Sequence, residues 1–330
     1  MFNIDDFVKS IFDPSLIHFD ELALKAFAYQ YDNNIVYQQY CKLNKILDKQ
    51  SVTKVAQIPF LPIQFFKSHA IVTGTKVPEI QFTSSSTSGQ GESKHLVVDG
   101  TIYTKSFFAA FEHFYGPITD YCFLALLPSY LERTGSSLLL MCDELIKASN
   151  NPLSNFYLYN HNQLADVLLQ LKEKKQKTIL IGATFALLDF AETHNISFPE
   201  LIVMETGGMK GRRKEITRAE THTLLANAFA VTNIHSEYGM TELLSQAYSH
   251  EKGVFECPKW MQIKISDPTD PFTFLGANKS GVINVIDLAN IHSCCFIQTQ
   301  DLGKLTGPKN FEVLGRLDNS DIRGCSLLTV

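Results

Sequence analysis

No apolar run in this sequence approaches the length needed to cross a bilayer. Basic surface is scarce too. The net charge is −5, and no basic face or arginine-rich tract stands out, which argues against a nucleic-acid partner. The longest Lys-rich run, Lys172-Glu173-Lys174-Lys175-Gln176-Lys177, is interrupted by Glu173 and suits the solvated end of a helix. The seven cysteines (Cys41, Cys122, Cys142, Cys257, Cys294, Cys295 and Cys325) are odd in number and lack Cys-x-x-Cys spacing, so no zinc site or disulfide framework is implied. The ten histidines include no His-Glu-x-x-His, and no Gly-x-Ser-x-Gly elbow exists, so a zinc hydrolase and a serine acyltransferase both lack their motifs. His113 and His161 read as helix-surface or cap residues. Met1 to Ser10 carries Asp5 and Asp6 without an apolar centre, unlike a signal peptide. The expectation is a soluble, reduced, cytoplasmic protein with no membrane span.

What is present is core-forming material. The 330 residues, 45% hydrophobic with 24 Phe, allow a sizeable core in one large domain or two smaller ones. Residues 3–49 look helical: Asn3 can cap a first helix, Asp20 a second from Leu22 to Tyr29, and a third runs from Asn34 to Leu47. Pro59-Phe60-Leu61-Pro62-Ile63-Gln64-Phe65-Phe66-Lys67 then breaks the helices, and serves either packing or the rim of a pocket. Strands and helices alternate beyond it. Strands are expected at 96–98, 121–127, 155–159, 178–182 and 201–205, with helices at 101–115, 136–148, 162–175, 183–194 and 215–229. Buried apolar strands alternating with helices predict a largely parallel α/β sheet. After Glu242, strands at 261–266, 281–287 and 294–298 suggest an antiparallel, barrel-like region. With no repeat or low-complexity linker, the chain reads as one composite domain: a helical part to residue 80, an α/β core over 81–245 and a β-rich part over 246–330.

The segment that organises this core is Thr83-Ser84-Ser85-Ser86-Thr87-Ser88-Gly89-Gln90-Gly91-Glu92-Ser93-Lys94-His95, between two strand-like runs. Hydroxyls, small residues and glycine let backbone N–H and side-chain O–H groups converge on an anion, with Lys94 adding positive charge. No Gly-Lys-Ser/Thr closes it, so it is not a Walker loop. Alone, it fits a Ser/Thr turn equally well.

Four further segments fall at predicted strand ends, where open α/β sheets bind ligands. Glu205-Thr206-Gly207-Gly208-Met209-Lys210-Gly211 follows an apolar strand, and its paired glycines allow close backbone approach to a flat ligand. His235-Ser236-Glu237-Tyr238-Gly239-Met240-Thr241-Glu242 offers an aromatic ring to stack on a base, a hydroxyl for phosphate and a carboxylate for Mg²⁺. Thr299-Gln300-Asp301-Leu302-Gly303 holds one acid able to take the hydroxyls of a ribose. Leu314-Gly315-Arg316-Leu317-Asp318 opens a charged turn. Each of the last two, alone, suits a surface turn.

In this order the five segments, spanning residues 83 to 324, resemble the motifs of the adenylate-forming (acyl-CoA synthetase-like) enzymes. One departure lies at Ser86, which stands where the family loop has its middle glycine. Pro59–Lys67, Leu127-Pro128-Ser129-Tyr130 and Glu205–Gly211 bring the chain nearer to the acyl-protein synthetase branch, related to phenylacetate-CoA ligases. The resemblance implies that Ser86, Thr87, Ser88, Gly89 and Lys94 serve the phosphates of ATP and that Gly207 and Gly208 line the adenine. It implies too that Tyr238, followed by Gly239, stacks on the base, that Thr241 touches the α-phosphate, that Glu242 holds Mg²⁺, and that Asp301 and Arg316 hold the ribose. Members usually continue into a mobile C-terminal domain whose lysine aids adenylation. The sequence runs six residues past Arg323-Gly324, so that lid is expected to be absent and the cation at the α-phosphate is unassigned, with Lys94 and Lys210 as candidates.

The expected activity is ATP- and Mg²⁺-dependent conversion of a carboxylic acid, fatty in this branch, to acyl-AMP, then acyl transfer to a thiol. Cys325 is the candidate acceptor, with Cys294 and Cys295 weaker, and an acyl reductase or acyl-carrier protein is the expected partner. The Phe and Leu residues around 107–140 suit an acyl pocket and an ordinary core equally. Two alternatives stay open: coenzyme A as acceptor, and a non-catalytic acyl- or nucleotide-binding subunit of a reductase.

Overall fold

The structure, a computed structural model, describes residues 2–13, 15, 18–84, 91–127, 135–207 and 216–317. Three helices open it: α1 (Ile4–Phe12), α2 (Phe19–Asn33) and α3 (Ile35–Leu43). Asn3 caps α1 by accepting from Asp5 N and Asp6 N, as its position before an apolar-periodic run requires. Asp20 is not a cap: α2 starts one residue before it, and its charge sits in the first turn, favourable to the helix dipole. Asn34 caps α3 through Tyr37 N, but the helix stops at Leu43 rather than Leu47. Lys45 is left-handed (φ 66°), which closes the turn.

Strand β1 (Leu61–Pro62) and the short α4 (Phe65–Ser68) follow. The hairpin of β2 (Ile80–Thr83) and β3 (Lys94–Val97) flanks the Ser/Thr loop. The alternating part then runs α5 (Gly100–Tyr115), β4 (Cys122–Leu126), α6 (Ser137–Ser149), β5 (Asn155–Tyr157), α7 (His161–Glu173), β6 (Thr178–Ala183), α8 (Thr184–Thr193), β7 (Ile202–Thr206), α9 (Arg218–Phe229) and β8 (His235–Tyr238). Every residue of β4 and β6 is buried, the signature of central parallel strands covered on both faces. Side-chain caps fix the starts of α5, α6 and α9 at Asp99, Ser136 and the Thr217–Glu220 capping box.

The antiparallel strands are β9 (Ala247–Ser249), β10 (Val254–Glu256), β11 (Met261–Ser266), β12 (Ser280–Asp287), β13 (Phe296–Leu305) and β14 (Asn310–Arg316). They continue the parallel strands edge to edge, in the order β11-β12-β13-β14-β10-β9-β8-β7-β6-β4-β5, with β1 added beside β13. The hand-over is at β8, parallel to β7 and antiparallel to β9. Strand β13 begins at Phe296 and extends well past Gln298, so Cys294 and Cys295 lie before it and Asp301 lies within it. None of the described helices is long and apolar enough to cross a membrane.

Candidate active site

The C-terminal ends of β7 and β8 lie side by side, paired through Thr206 and Glu237. From there the chain turns through Gly207 (φ 74°, open to glycine) and through Gly239. A Cβ on Gly239 would lie 2.4 Å from Glu237 Oε1 and 3.3 Å from Gln246 Cγ, so a side chain at the corner after Tyr238 would require the Glu237 carboxyl to move.

Tyr238 is buried, its ring edge-on to Phe255 at 5.9 Å and to Phe311 at 5.6 Å. Its hydroxyl donates to Asp301 Oδ2 at 2.9 Å. Asp301 pairs across β13 and β14 with Arg316. Burial raises the Asp301 carboxyl above its usual range; the tyrosine hydroxyl and the Arg316 charge oppose that without cancelling it. Sixty-three residues of sequence thus close into a Tyr–Asp contact beside a cation.

Two buried groups hold the Thr241-Glu242 step. The Thr241 carbonyl accepts from His95 Nδ1–H at 2.8 Å, and the Glu242 carbonyl accepts from Asn290 Nδ2 at 2.9 Å. Because a carbonyl can only accept, His95 is the Nδ1–H tautomer. Full burial keeps it neutral, its pKa lowered to about 4. The Glu242 side chain is 5% exposed. Burial raises its carboxyl, opposed by Ser93, its own backbone, Arg316 and Lys67.

This arrangement suits a magnesium ion held through one carboxylate. Among the described residues no cluster of three or more His, Cys, Asp or Glu forms a complete cage. Mg²⁺ commonly takes one or two carboxylates and completes its shell with water and substrate phosphates, and the buried, incompletely neutralised Glu242 fits that share.

Of the residues singled out in the sequence, Tyr238, Gly239, Thr241, Glu242, Asp301 and Arg316 converge here. Gly207 stands at the adjoining strand end, its carbonyl accepting from Thr184 Oγ1 at 3.4 Å. Lys94 is exposed at the start of β3, opposite Thr83. Ser86, Thr87, Ser88, Gly89, Gly208, Lys210 and Cys325 lie outside the described residues. Cys294 and Cys295 are fully buried and raised in pKa by burial, unsuited to nucleophilic attack. Sequence reasoning assigned no role to His95, Ser93, Asn290 or Lys67. The first two end the Ser/Thr stretch and Lys67 ends the proline-aromatic segment, so position was a signal for three of the four.

Residues 3–102 match the family model described as acyl-protein synthetase, LuxE. No curated protein sequence matches the chain. Among solved structures, an open conformation of 2-hydroxyisobutyryl-CoA ligase in complex with 2-HIB-AMP and CoA superposes with a TM-score of 0.68 at 12% identity, over 91% of this chain and 70% of that one. ATP-bound MatB from Rhodopseudomonas palustris gives 0.55 at 15% identity, over 72% of this chain and 47% of that one. A luciferase-like enzyme from the nonluminescent mealworm Zophobas morio gives 0.51 at 13%, over 75% and 60%. The chain spans about half the length of MatB. These likenesses show the fold, that of the adenylate-forming ligases, and the match over residues 3–102 agrees with the acyl-protein synthetase branch that the motifs resemble.

Proposed function

We infer, from the acyl-protein synthetase match and the adenylate-forming fold, that this chain is an AMP-forming acid–thiol ligase. A carboxylate oxygen attacks the α-phosphorus of ATP. The new O–P bond forms as the bond to the β-phosphate oxygen breaks, and pyrophosphate leaves with the electron pair. The product is acyl-AMP. A thiolate then attacks the acyl carbon, a C–S bond forms, and AMP departs.

The observation that carries this reading is the convergence of Tyr238, Asp301, Arg316 and Glu242 at one end of the sheet. Tyr238 and Gly207 take the adenine, Asp301 and Arg316 the ribose, and the Thr241 hydroxyl the α-phosphate. Bound Mg²⁺ on Glu242 supplies charge neutralisation at the phosphates. The protein's share is positioning and fixed dipoles, in keeping with phosphoryl chemistry that asks little covalent work of its enzyme. His95 and Asn290 contribute by fixing the Thr241-Glu242 backbone.

The acid is a fatty acid and the acceptor a protein thiol, with Cys325 first among the chain's own cysteines. An acyl reductase or acyl-carrier protein receives the product. Support for Cys325 comes from the alternatives: among the described cysteines, Cys41, Cys122, Cys142, Cys294 and Cys295 are buried and Cys257 is half-buried.

Acid-dependent exchange of labelled pyrophosphate into ATP tests the first step, and acyl transfer to protein compared with coenzyme A tests the second. Glu242→Gln keeps the shape and removes the charge, so exchange should fall about 100-fold or more in a folded protein. Full exchange by folded Glu242→Gln refutes the assignment of the ion to this residue.

A further inference from the structure

The segment Pro59–Lys67 is anchored at three points. The Pro59 carbonyl accepts from the Tyr37 hydroxyl at 2.7 Å. Strand β1 pairs in parallel with β13, where Ile63 N donates to Gln298 O at 2.9 Å, three residues before Asp301. Phe66, 1% exposed, sets its ring edge-on against His95 at 5.7 Å, and His95 in turn holds the Thr241 carbonyl. The segment is therefore clamped between the strand that carries Asp301 and the corner that carries Thr241 and Glu242.

Lys67 follows Phe66 directly and is half-buried. Together with Arg316 it is a cation whose field reaches the Glu242 carboxyl. Among the described residues, no carboxylate comes within ion-pair distance of its ammonium, and no side-chain hydrogen bond is made to it. A half-buried lysine on a segment anchored beside a nucleotide-binding corner, with no carboxylate at ion-pair distance among the described residues, is placed for an anion.

We propose that Lys67 is a catalytic residue of adenylation, its ammonium set against the α-phosphate to compensate the charge that builds there as the carboxylate attacks. The chemistry requires such a group. Two anions, a carboxylate and a triphosphate, must approach within bonding distance, and the phosphorus becomes five-coordinate before pyrophosphate departs. A fixed cation aimed where charge develops is worth far more in a partly desolvated site than in water. Arg316 stands opposite Asp301 in the β13–β14 register, where the ligase reading gives it the ribose, and this leaves Lys67 for the phosphate. The proposal rests on the ligase reading above, and deepens it.

The test uses the full chain with ATP, Mg²⁺ and a panel of fatty acids. Lys67→Met preserves most of the apolar stem and removes the charge. Pyrophosphate exchange should fall about 100-fold in kcat, with the KM for ATP changed by less than about threefold. Its thermal melting should match that of the parent, since a half-exposed ammonium with no ion pair among the described residues contributes little to stability. Lys67→Arg should retain part of the rate, and ethylamine should restore activity to Lys67→Ala. An unaltered kcat in folded Lys67→Met overturns the proposal. So does loss of activity that ethylamine does not restore and that comes with a lowered melting temperature, which marks a merely structural lysine. A parent protein that exchanges no pyrophosphate with any acid refutes the ligase reading itself, whereas an active parent with an equally active Lys67→Met refutes Lys67 alone.

Discussion

Glu237, the residue before Tyr238, is 8% exposed and lies next to a second buried acid, Glu205, on the neighbouring strand. Burial pushes the Glu237 carboxyl up to about 7; the Thr206 hydroxyl pulls it down, and the Glu205 charge adds to the rise. Glu205 goes the other way. Burial raises it, but His222, Ser236, Thr184 and Arg218 together outweigh burial and hold it below its usual value. Glu237 thus keeps its proton in the folded chain over a window, pH 4.5 to about 7, in which the unfolded chain has lost it. The folded state binds more protons there, so stability falls as pH rises through the window. At about 1.4 kcal/mol per pH unit, the displacement from 4.5 to about 7 amounts to about 3 kcal/mol. Glu237→Gln removes the titration while its amide oxygen still accepts from Thr206. With about 2.1 cal/mol/K of unfolding entropy per residue, 330 residues give about 0.7 kcal/mol per kelvin, so the variant should gain about 4 °C in Tm over the parent between pH 4.5 and 8. Other groups titrate in the same range: His95, lowered to about 4, makes stability rise between about 4 and 6.5. The difference between the two proteins is therefore the quantity to measure, by paired calorimetric melts at half-unit steps of pH. A difference that stays constant from pH 4.5 to 8 would show that Glu237 does not hold a proton in the fold, and would refute the reasoning.

Removing the Tyr238 hydroxyl in Tyr238→Phe should cost about 0.5–1.5 kcal/mol in denaturant unfolding, because the half-buried Asp301 carboxylate loses a donor. Tyr238→Ala should weaken ATP binding beyond Tyr238→Phe, by about 1 kcal/mol of stacking read from calorimetric titration. Gly239→Ala brings a Cβ to 2.4 Å from Glu237 Oε1, so the buried Glu237 carboxyl must give way; a stability loss of about 1 kcal/mol should appear in denaturant unfolding, with reduced exchange activity. In the native protein a thiol reagent should react slowly with Cys41 and Cys122, raised by burial to about 12 and about 11. Hydroxylamine-labile acyl label should then map to Cys325 and disappear in Cys325→Ser; label on another cysteine excludes Cys325.

The α/β class was legible because its cause is local. Residues 122–126 and 179–183 are apolar on both faces of their strands, as a strand covered on both faces requires. The order of the motifs was legible for a similar reason: each is a contiguous stretch at a strand end. Helix ends were less so. Asn34 and Lys45 show that a cap and one left-handed residue, not apolar periodicity, decide where α3 starts and stops. The gathering of the site was decided by tertiary structure alone. Asp301 meets Tyr238 because β13 runs on past Gln298 and pairs with β14, in a register that shifts at Leu302 and Gly303. His95, Asn290 and Lys67 come to one corner from three distant parts of the chain. Hydroxyl, amide and ammonium groups acquire such roles from a partner's position, and sequence spacing carries no record of a partner 146 residues away, as His95 and Thr241 are. Composition and periodicity determine which surfaces must be buried; strand register determines which polar groups then meet.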